Sequence, residues 1–354
     1  MPEGSFSSQG WRAGLAVLAL CTAALANAGT DDVPGEWITR MNKALASRNY
    51  EGVLIHQVGA HRSVLHIVHR VQDGHMNERV TVVSPAGPGP GAEFVRNGSE
   101  WIEYNPQQRV ARVQTRNRSY GFLIALNGLN AESRRYYTLT DGGATALDAW
   151  TARRIWLEPR DEQRYGYRFW LDAKTGLPLK TQLVARSGEV IEEISFLSLS
   201  LPEKIEDEQL KPQFDTAAFH WVRGDVPMYT PGLKTAPVPR AELLPPGFRV
   251  RLFTSAEDEA KAPGPRTRFI VSDGIDWVSV FVEKTGQNRP APGLKGAPMP
   301  HGKPGASEGE RPDGVVVMGS TATYATRLDD FNVTVVGEVP PQTVKAIAEA
   351  VRPE

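Results

Sequence analysis

From Tyr165 to Phe196 apolar and polar residues alternate with period two. Tyr165, Tyr167, Phe169 and Leu171 fall on one face, and Gly166, Arg168, Trp170 and Asp172 on the other. Lys174-Thr175-Gly176 breaks the run, Leu179, Thr181 and Leu183 resume it, and Ser187-Gly188 breaks it again before Val190, Ile194 and Phe196. Connections this short leave no room for a crossover, so the pattern predicts three successive antiparallel strands.

Upstream, Pro34–Arg48 places Trp37, Ile38, Met41, Ala44 and Leu45 at helical spacing and predicts an amphipathic helix. Strands are expected at Tyr50–Val58, Val64–Val71, Val80–Ser84, Phe94–Arg96, Glu100–Tyr104, Arg109–Gln114, Tyr136–Leu139 and Ala152–Glu158, with turns such as Asp73-Gly74 and Asn97-Gly98. Ser119–Leu129 clusters Tyr120, Phe122, Leu123, Ile124, Leu126 and Leu129 without alternation and reads as a short helix or covering loop. A sheet of ten or so strands accumulates twist and curls, and its hollow side needs an apolar cover. The Trp37 helix and the Phe122 segment are the local candidates. A curled sheet plugged in this way, rather than closed into a barrel, leaves a cleft able to accept acyl chains.

After Leu201 the character changes. Pro202–Glu242 opens with alternating charge and continues with several prolines, so it reads as a connection carrying at most a short helix, with Phe214, Phe219 and Trp221 docking on a domain surface. A second, smaller module over 243–354 has strands at Phe248–Phe253, Thr267–Ser272, Ile275–Glu283, Gly314–Met318, Thr323–Leu328 and Phe331–Gly337. A last helix buries Val344, Ile347, Ala348 and Val351. Gln287–Gly314 holds six prolines and six glycines, too many to pair as a strand, and is expected to be disordered. The expected fold class is therefore α+β and mainly antiparallel β: an unclosed half-barrel with a helical plug over 29–201, a linker over 202–242, and a small sheet with one helix.

Composition changes the picture in two ways. Arg12, the apolar run Ala13–Ala26 and the small residues around Ala28 fit a cleaved signal peptide over 1–28. Cys21, the one cysteine, falls inside it, so the mature chain would have no disulfide, thiol nucleophile or cysteine ligand. A net charge of −1 gives no electrostatic case for nucleic acid.

Candidate chemistry is sparse. His66 and His69 differ by an odd number, so on one strand they face opposite ways and do not share a metal, and His56 adds at most one pair. No G-x-S-x-G elbow occurs. Every acidic residue of the meander reads as outward-facing or as a turn residue, so no acid/base couple forms; no enzyme activity, metal or cofactor is expected. One charge feature stands out. Arg109, Arg112, Arg116 and Arg118 lie in a stretch with no acidic residue beside the apolar Tyr120–Leu129 segment. The bland reading is a solvated strand face. The sharper one is a cationic rim on a greasy cleft, since arginine holds phosphate and carboxylate bidentately.

YGYRFWLDAKTGLPLKTQLV with GEVIEEISF, LPPGFRV, SDGIDWVSVFVE, FNVTVVGEVPPQTVKAIAEAV and the WITRMNKALASRNYEGVLIH opening resemble the RseB/MucB family of periplasmic sigma-factor regulators. The resemblance covers nearly all of the mature chain. It implies a first domain like the lipoprotein carriers LolA and LolB, and binding to the periplasmic part of a membrane-spanning anti-sigma factor, which is thereby shielded from site-1 proteolysis. It also implies release by lipopolysaccharide or another acyl lipid. No catalytic motif transfers. On physical grounds the cleft is assigned to Trp37, Met41, Phe122, Leu126, Tyr167 and Phe169, with Arg116 and Arg118 at the rim, and Trp277, Phe281 and Tyr324 are the candidates for the partner surface. A lipid or lipoprotein carrier is the alternative, and a homo-oligomer is left open.

Overall fold

Alternation dictates most of the architecture. The structure, a computed structural model, describes residues 34–83, 91–115, 122–224, 237–256, 266–285 and 314–353. The expected signal peptide, the 287–313 loop, and Arg116 and Arg118 lie outside these residues. Helix α1 (Pro34–Ser47) precedes β1 (Tyr50–Val58), β2 (His61–Gln72), β3 (His75–Val83), β4 (Glu93–Asn97), β5 (Glu100–Asn105) and β6 (Val110–Thr115). Then come β7 (Tyr137–Leu147), β8 (Trp150–Pro159), β9 (Gly166–Asp172), β10 (Pro178–Val184), β11 (Val190–Ser200) and β12 (His220–Gly224). They form one twelve-stranded sheet in the order β12-β6-β5-β4-β3-β2-β1-β11-β10-β9-β8-β7. Its two edge strands, β7 and β12, do not pair with each other, so the barrel stays open.

The register assigns the faces. Leu54 opposes Leu65 and Tyr50 opposes His69, which sets Tyr50, Leu54, Leu65, Ile67 and His69 on an inner face with Val80, Phe169 and Phe196. Helix α1 lies over β7 and β8 and turns Trp37, Ile38, Met41, Ala44 and Leu45 into this core. Burying one such side chain stabilises the fold by about 1.5–3 kcal/mol. Residues 122–129 complete the cover as an irregular segment, without a helix.

Two departures from the pattern have local causes. Asp141-Gly142-Gly143 has turn composition, yet β7 runs through it. The register shifts there as a bulge, Gly143 takes φ +78°, and Asp141 accepts a 2.7 Å bond from the Gly143 amide while pairing with Arg153. The 202–224 connection docks as expected, as a strap across the outer face, but it also contributes a strand. Ile205 and Leu210 pack on Val68, Asp207 pairs with Arg70 at 2.6 Å, and Gln213 donates its amide to Glu93 at 3.0 Å. Phe214, Phe219 and Trp221 surround Tyr104 with ring centroids 5.8–6.1 Å away. The strap ends as β12, which pairs with β6 in parallel, the one parallel pair of this otherwise antiparallel sheet.

Next in the chain come β13 (Val238–Pro239), β14 (Arg249–Ala256), β15 (Arg266–Ser272), β16 (Trp277–Lys284), β17 (Gly314–Met318), β18 (Thr321–Leu328), β19 (Phe331–Gly337), α2 (Pro341–Glu349) and β20 (Val351–Arg352). Strands β14 to β19 form an antiparallel sheet in the order β14-β15-β16-β19-β18-β17, and β13 pairs with β20. Val278, Val280, Val282, Val333 and Val335 meet Val344, Ile347 and Ala348 of α2 in a second core. Both sheets belong to one compact unit, Val33–Glu354.

Candidate functional site

Trp37, Met41, Leu126, Tyr167 and Phe169 all lie in the single buried cluster of the inner face, and Phe122 packs against it. Tyr167 and Phe169 stack at 6.0 Å. The structure thus brings the six predicted cleft residues together, and their own side chains fill the hollow. Met41 and Phe169 are wholly buried, so these side chains pack on one another as core under α1 and residues 122–129.

The Phe122–Leu129 segment is tethered at three points. The Phe122 amide donates to Glu78 Oε1 at 2.6 Å, and the Leu126 amide donates to Asn42 Oδ1 of α1 at 2.9 Å. Gly128 lies so close to the small sheet that any Cβ there would overlap the Gly274 carbonyl.

Glu78 and Glu93 correct the expectation that the acids of the meander face outward into solvent: both are almost completely buried, Glu78 on the inner face and Glu93 on the outer face beneath the strap. Glu78 opposes His69 and Arg96 on the inner face. Its Oε2 lies 2.8 Å from His69 Nδ1 and 3.5 Å from the Tyr50 hydroxyl, and His69 stacks on Tyr50 with centroids 4.3 Å apart. Burial, reinforced by the Glu78 charge, pushes the Tyr50 hydroxyl well above its ordinary value. Glu93 sits on the outer face under the strap and accepts from Thr81 and Gln213. A buried carboxylate is tolerable when hydrogen bonds replace its water, and that exchange is invisible to a period-two pattern.

The histidines sort as their spacing requires. His56 faces Glu192 at 2.7 Å, His66 faces Glu51 at 3.0 Å, and His69 faces Glu78. Each has its own carboxylate.

A second polar centre joins the two sheets. Arg164, with no exposed surface, donates to Asp161 at 3.0 Å and to the Pro246 carbonyl at 2.6 Å, and places Nη1 3.1 Å from Asp273 Oδ2. Its guanidinium lies over the rings of Tyr136 and Phe248 at 4.5 and 5.2 Å. Tyr137 Oη is 3.3 Å from Asp273 Oδ2 and 3.2 Å from Asp276 Oδ2, while Tyr167 donates to Asp276 Oδ1 at 3.2 Å. Burial, then the charge of Asp273, pushes the Asp276 carboxyl well above the usual range, against the hydrogen bonds of both tyrosines. Sequence reading sees Asp273-Gly274 only as a hairpin turn. Nearby, the start of α2 docks on the β8–β9 connection through Thr343 and the Gln163 carbonyl, 2.8 Å.

A third contact sets the β17–β18 turn against the ends of β1 and β11. Gly319 abuts Val58, and Ser320 hydrogen-bonds Glu192. Burial would raise the Glu192 carboxyl, but hydrogen bonds from His56 and Ser320 outweigh it and hold it below the usual range.

The predicted partner residues do not share a surface. Val280 opposes Val335, which opposes Tyr324, so Tyr324 faces the α2 core; Trp277 and Phe281 lie on the other face of the small sheet.

This arrangement of an open, plugged sheet and a small second sheet matches known proteins. The MucB/RseB N-terminal domain model matches residues 33–214 and the MucB/RseB C-terminal domain model residues 304–352. Sigma factor AlgU regulatory protein MucB of Pseudomonas aeruginosa is 27% identical over 328 residues, 90% of each chain. Sigma-E factor regulatory protein RseB of Salmonella typhimurium is 24% identical over 344 residues, 92% of this chain and 93% of that one. Among solved structures, MucB in complex with MucA(peri) superposes with a TM-score of 0.62 at 24% identity, covering 91% of this chain and 99% of that chain. The relatives are named as regulators rather than enzymes, and with both domain models matched in order the chain belongs to the MucB/RseB family.

Proposed function

We propose that the protein is a periplasmic, non-catalytic regulator that binds the periplasmic part of a membrane-spanning anti-sigma factor and shields it from site-1 proteolysis. The observation that carries this reading is the end-to-end match to a relative whose solved structure contains MucA(peri). In this reading an acyl ligand such as lipopolysaccharide occupies the hollow lined by Trp37, Met41, Phe122, Leu126, Tyr167 and Phe169, with Arg116 and Arg118 receiving its anionic head. The tethers of residues 122–129 support it, because they tie the hollow's cover both to Glu78 beneath and to the small sheet beside it. Trp277 and Phe281 share a face that offers an aromatic anchor pair to the protein partner. Tyr324 would act from within the small core.

The test is retention of a cognate anti-sigma factor's periplasmic segment by the immobilised chain, followed by its cleavage by the site-1 protease with and without lipopolysaccharide. Retention, slowed cleavage, and recovery of cleavage on adding lipid are the expected outcomes. Failure to retain the segment sinks the reading. Retention without a lipid effect removes the ligand role alone.

A further inference from the structure

The junction between the two sheets holds two buried carboxyl groups against one arginine. Asp273 Oδ1 accepts the amides of Ile275 and Asp276, both at 2.9 Å, and Asp273 Oδ2 faces Arg164 Nη1. Asp273 therefore has the partners a charge needs. Asp276 has none of these: its side-chain hydrogen bonds run to the hydroxyls of Tyr137 and Tyr167. A hydroxyl has one proton to give. Tyr137 Oη sits between Asp273 Oδ2 and Asp276 Oδ2, so with both acids ionised it satisfies one and turns a lone pair toward the other. With a proton on Asp276 Oδ2 the chain closes. Asp276 donates to Tyr137, Tyr137 donates to Asp273, and Tyr167 donates to Asp276 Oδ1.

The charge count agrees. Arg164 makes its ion pairs with Asp273 and Asp161, so a second buried anion at Asp276 would have only its longer-range attraction, an expensive arrangement in a site closed to water. Among the described residues no cation pairs with Asp276 directly: Arg164 attracts its charge only as the least of the influences on it, and Arg160 donates to the Tyr137 carbonyl at 3.2 Å instead. Tyr165 on the approach to β9 and Glu338 before α2 act on this group of residues as neutral or negative neighbours, and Glu162 lies in the β8–β9 connection. Arg249 is engaged by Glu132.

We infer that Asp276 docks as the neutral acid and that this shared-proton junction makes seating of the small sheet on the large one pH-dependent, tighter in acid and looser as pH rises. The sign follows from linkage. A free aspartate gives up its proton near pH 3.9. In the docked form burial, then Asp273, raises that value, so docking is at full strength below the free value and weakens as pH rises through the docked one. The consequence reaches the hollow, because Tyr167 stacks on Phe169 and Gly274 presses on Gly128 of the cover segment.

The experiment uses the full chain with Cys21→Ser and spin labels at the exposed positions Lys174 and Lys345, one beside each sheet. The distance distribution is recorded from about pH 4 to about pH 8, a range that begins at the ordinary aspartate value. A narrow distribution that broadens with rising pH in the wild type, and a narrow, pH-independent one in Asp276→Asn, are expected, since the amide donates to Tyr137 as the acid does. Equal pH responses in the two proteins overturn the inference. Should Asp276→Asn fail to fold, infrared spectra decide. A protonated-carboxyl stretch that persists above the ordinary aspartate value, survives Glu93→Gln and shifts in Tyr167→Phe supports it, and absence of any such band throughout the pH range, or its loss with Glu93→Gln, overturns it.

Discussion

Glu78 is a buried carboxylate that three donors converge on: the Phe122 amide, His69 and Tyr50. Glu78→Leu removes both carboxylate oxygens and orphans all three, and breaking such a buried set costs about 3 kcal/mol. Urea denaturation should show that loss, and a cost below about 1 kcal/mol would mean the tether carries little. Glu192 behaves in the opposite sense to Asp276. Its carboxyl is held below the free value of about 4.3, so its contribution is present above that value and disappears as pH falls through the depressed one. Thermal unfolding of Glu192→Gln should therefore converge with the wild type in acid and fall below it near neutrality. A constant gap across pH would count against the His56 and Ser320 bonds as the cause.

At the scale of elements, the apolar period was legible and the exceptions to it were not. Helix α1, the β9–β11 meander and the α2 face follow directly from spacing. The β7 bulge hides because Gly142-Gly143 has turn chemistry, and β12 hides because Trp221 reads as a docking residue until a parallel partner is supplied by β6. Of the six residues assigned to the cleft, Tyr167 and Phe169 were legible as inner-face positions, and Trp37, Met41, Phe122 and Leu126 as apolar residues of its cover. Glu78, Arg164 and the Asp273–Asp276 turn were not, since their roles depend on partners far along the chain. Strand β17 carries an expectation of its own. It ends its sheet, contains no charge or proline, and leaves Val315, Val316, Val317 and Met318 well exposed, an edge of the kind that invites strand addition. Val316→Lys should change stability by no more than about 0.5 kcal/mol, and any self-association seen in sedimentation runs of the wild type should fall in the variant. Equal sedimentation of the two proteins would show that this edge does not drive association.

Across the whole molecule, the cover of the hollow and the seat of the small sheet are one piece of chain, from Phe122 through Gly128 to Ser133. Gly128→Ala pushes against the Gly274 backbone, which has no side chain to swing aside. It should destabilise the protein by about 1–3 kcal/mol, as overpacking does, and raise hydrogen exchange in both residues 122–129 and the Ser272–Trp277 turn. Exchange rising in one segment alone would show that they open independently.

Strand β1 draws its neighbours from the near and far parts of the first domain. It meets β2 across a tight turn, whereas Glu51 meets Ser200 across most of the first domain. A chain emerging amino-terminus first completes β1 through β6 long before β11 exists, so half of β1's ladder stays open until residues 190–200 arrive. Such distant pairings are late and slow to form. Refolding from urea should accordingly show a long-lived intermediate prone to clumping along that bare flank, and a helper that shields it during synthesis would raise the yield.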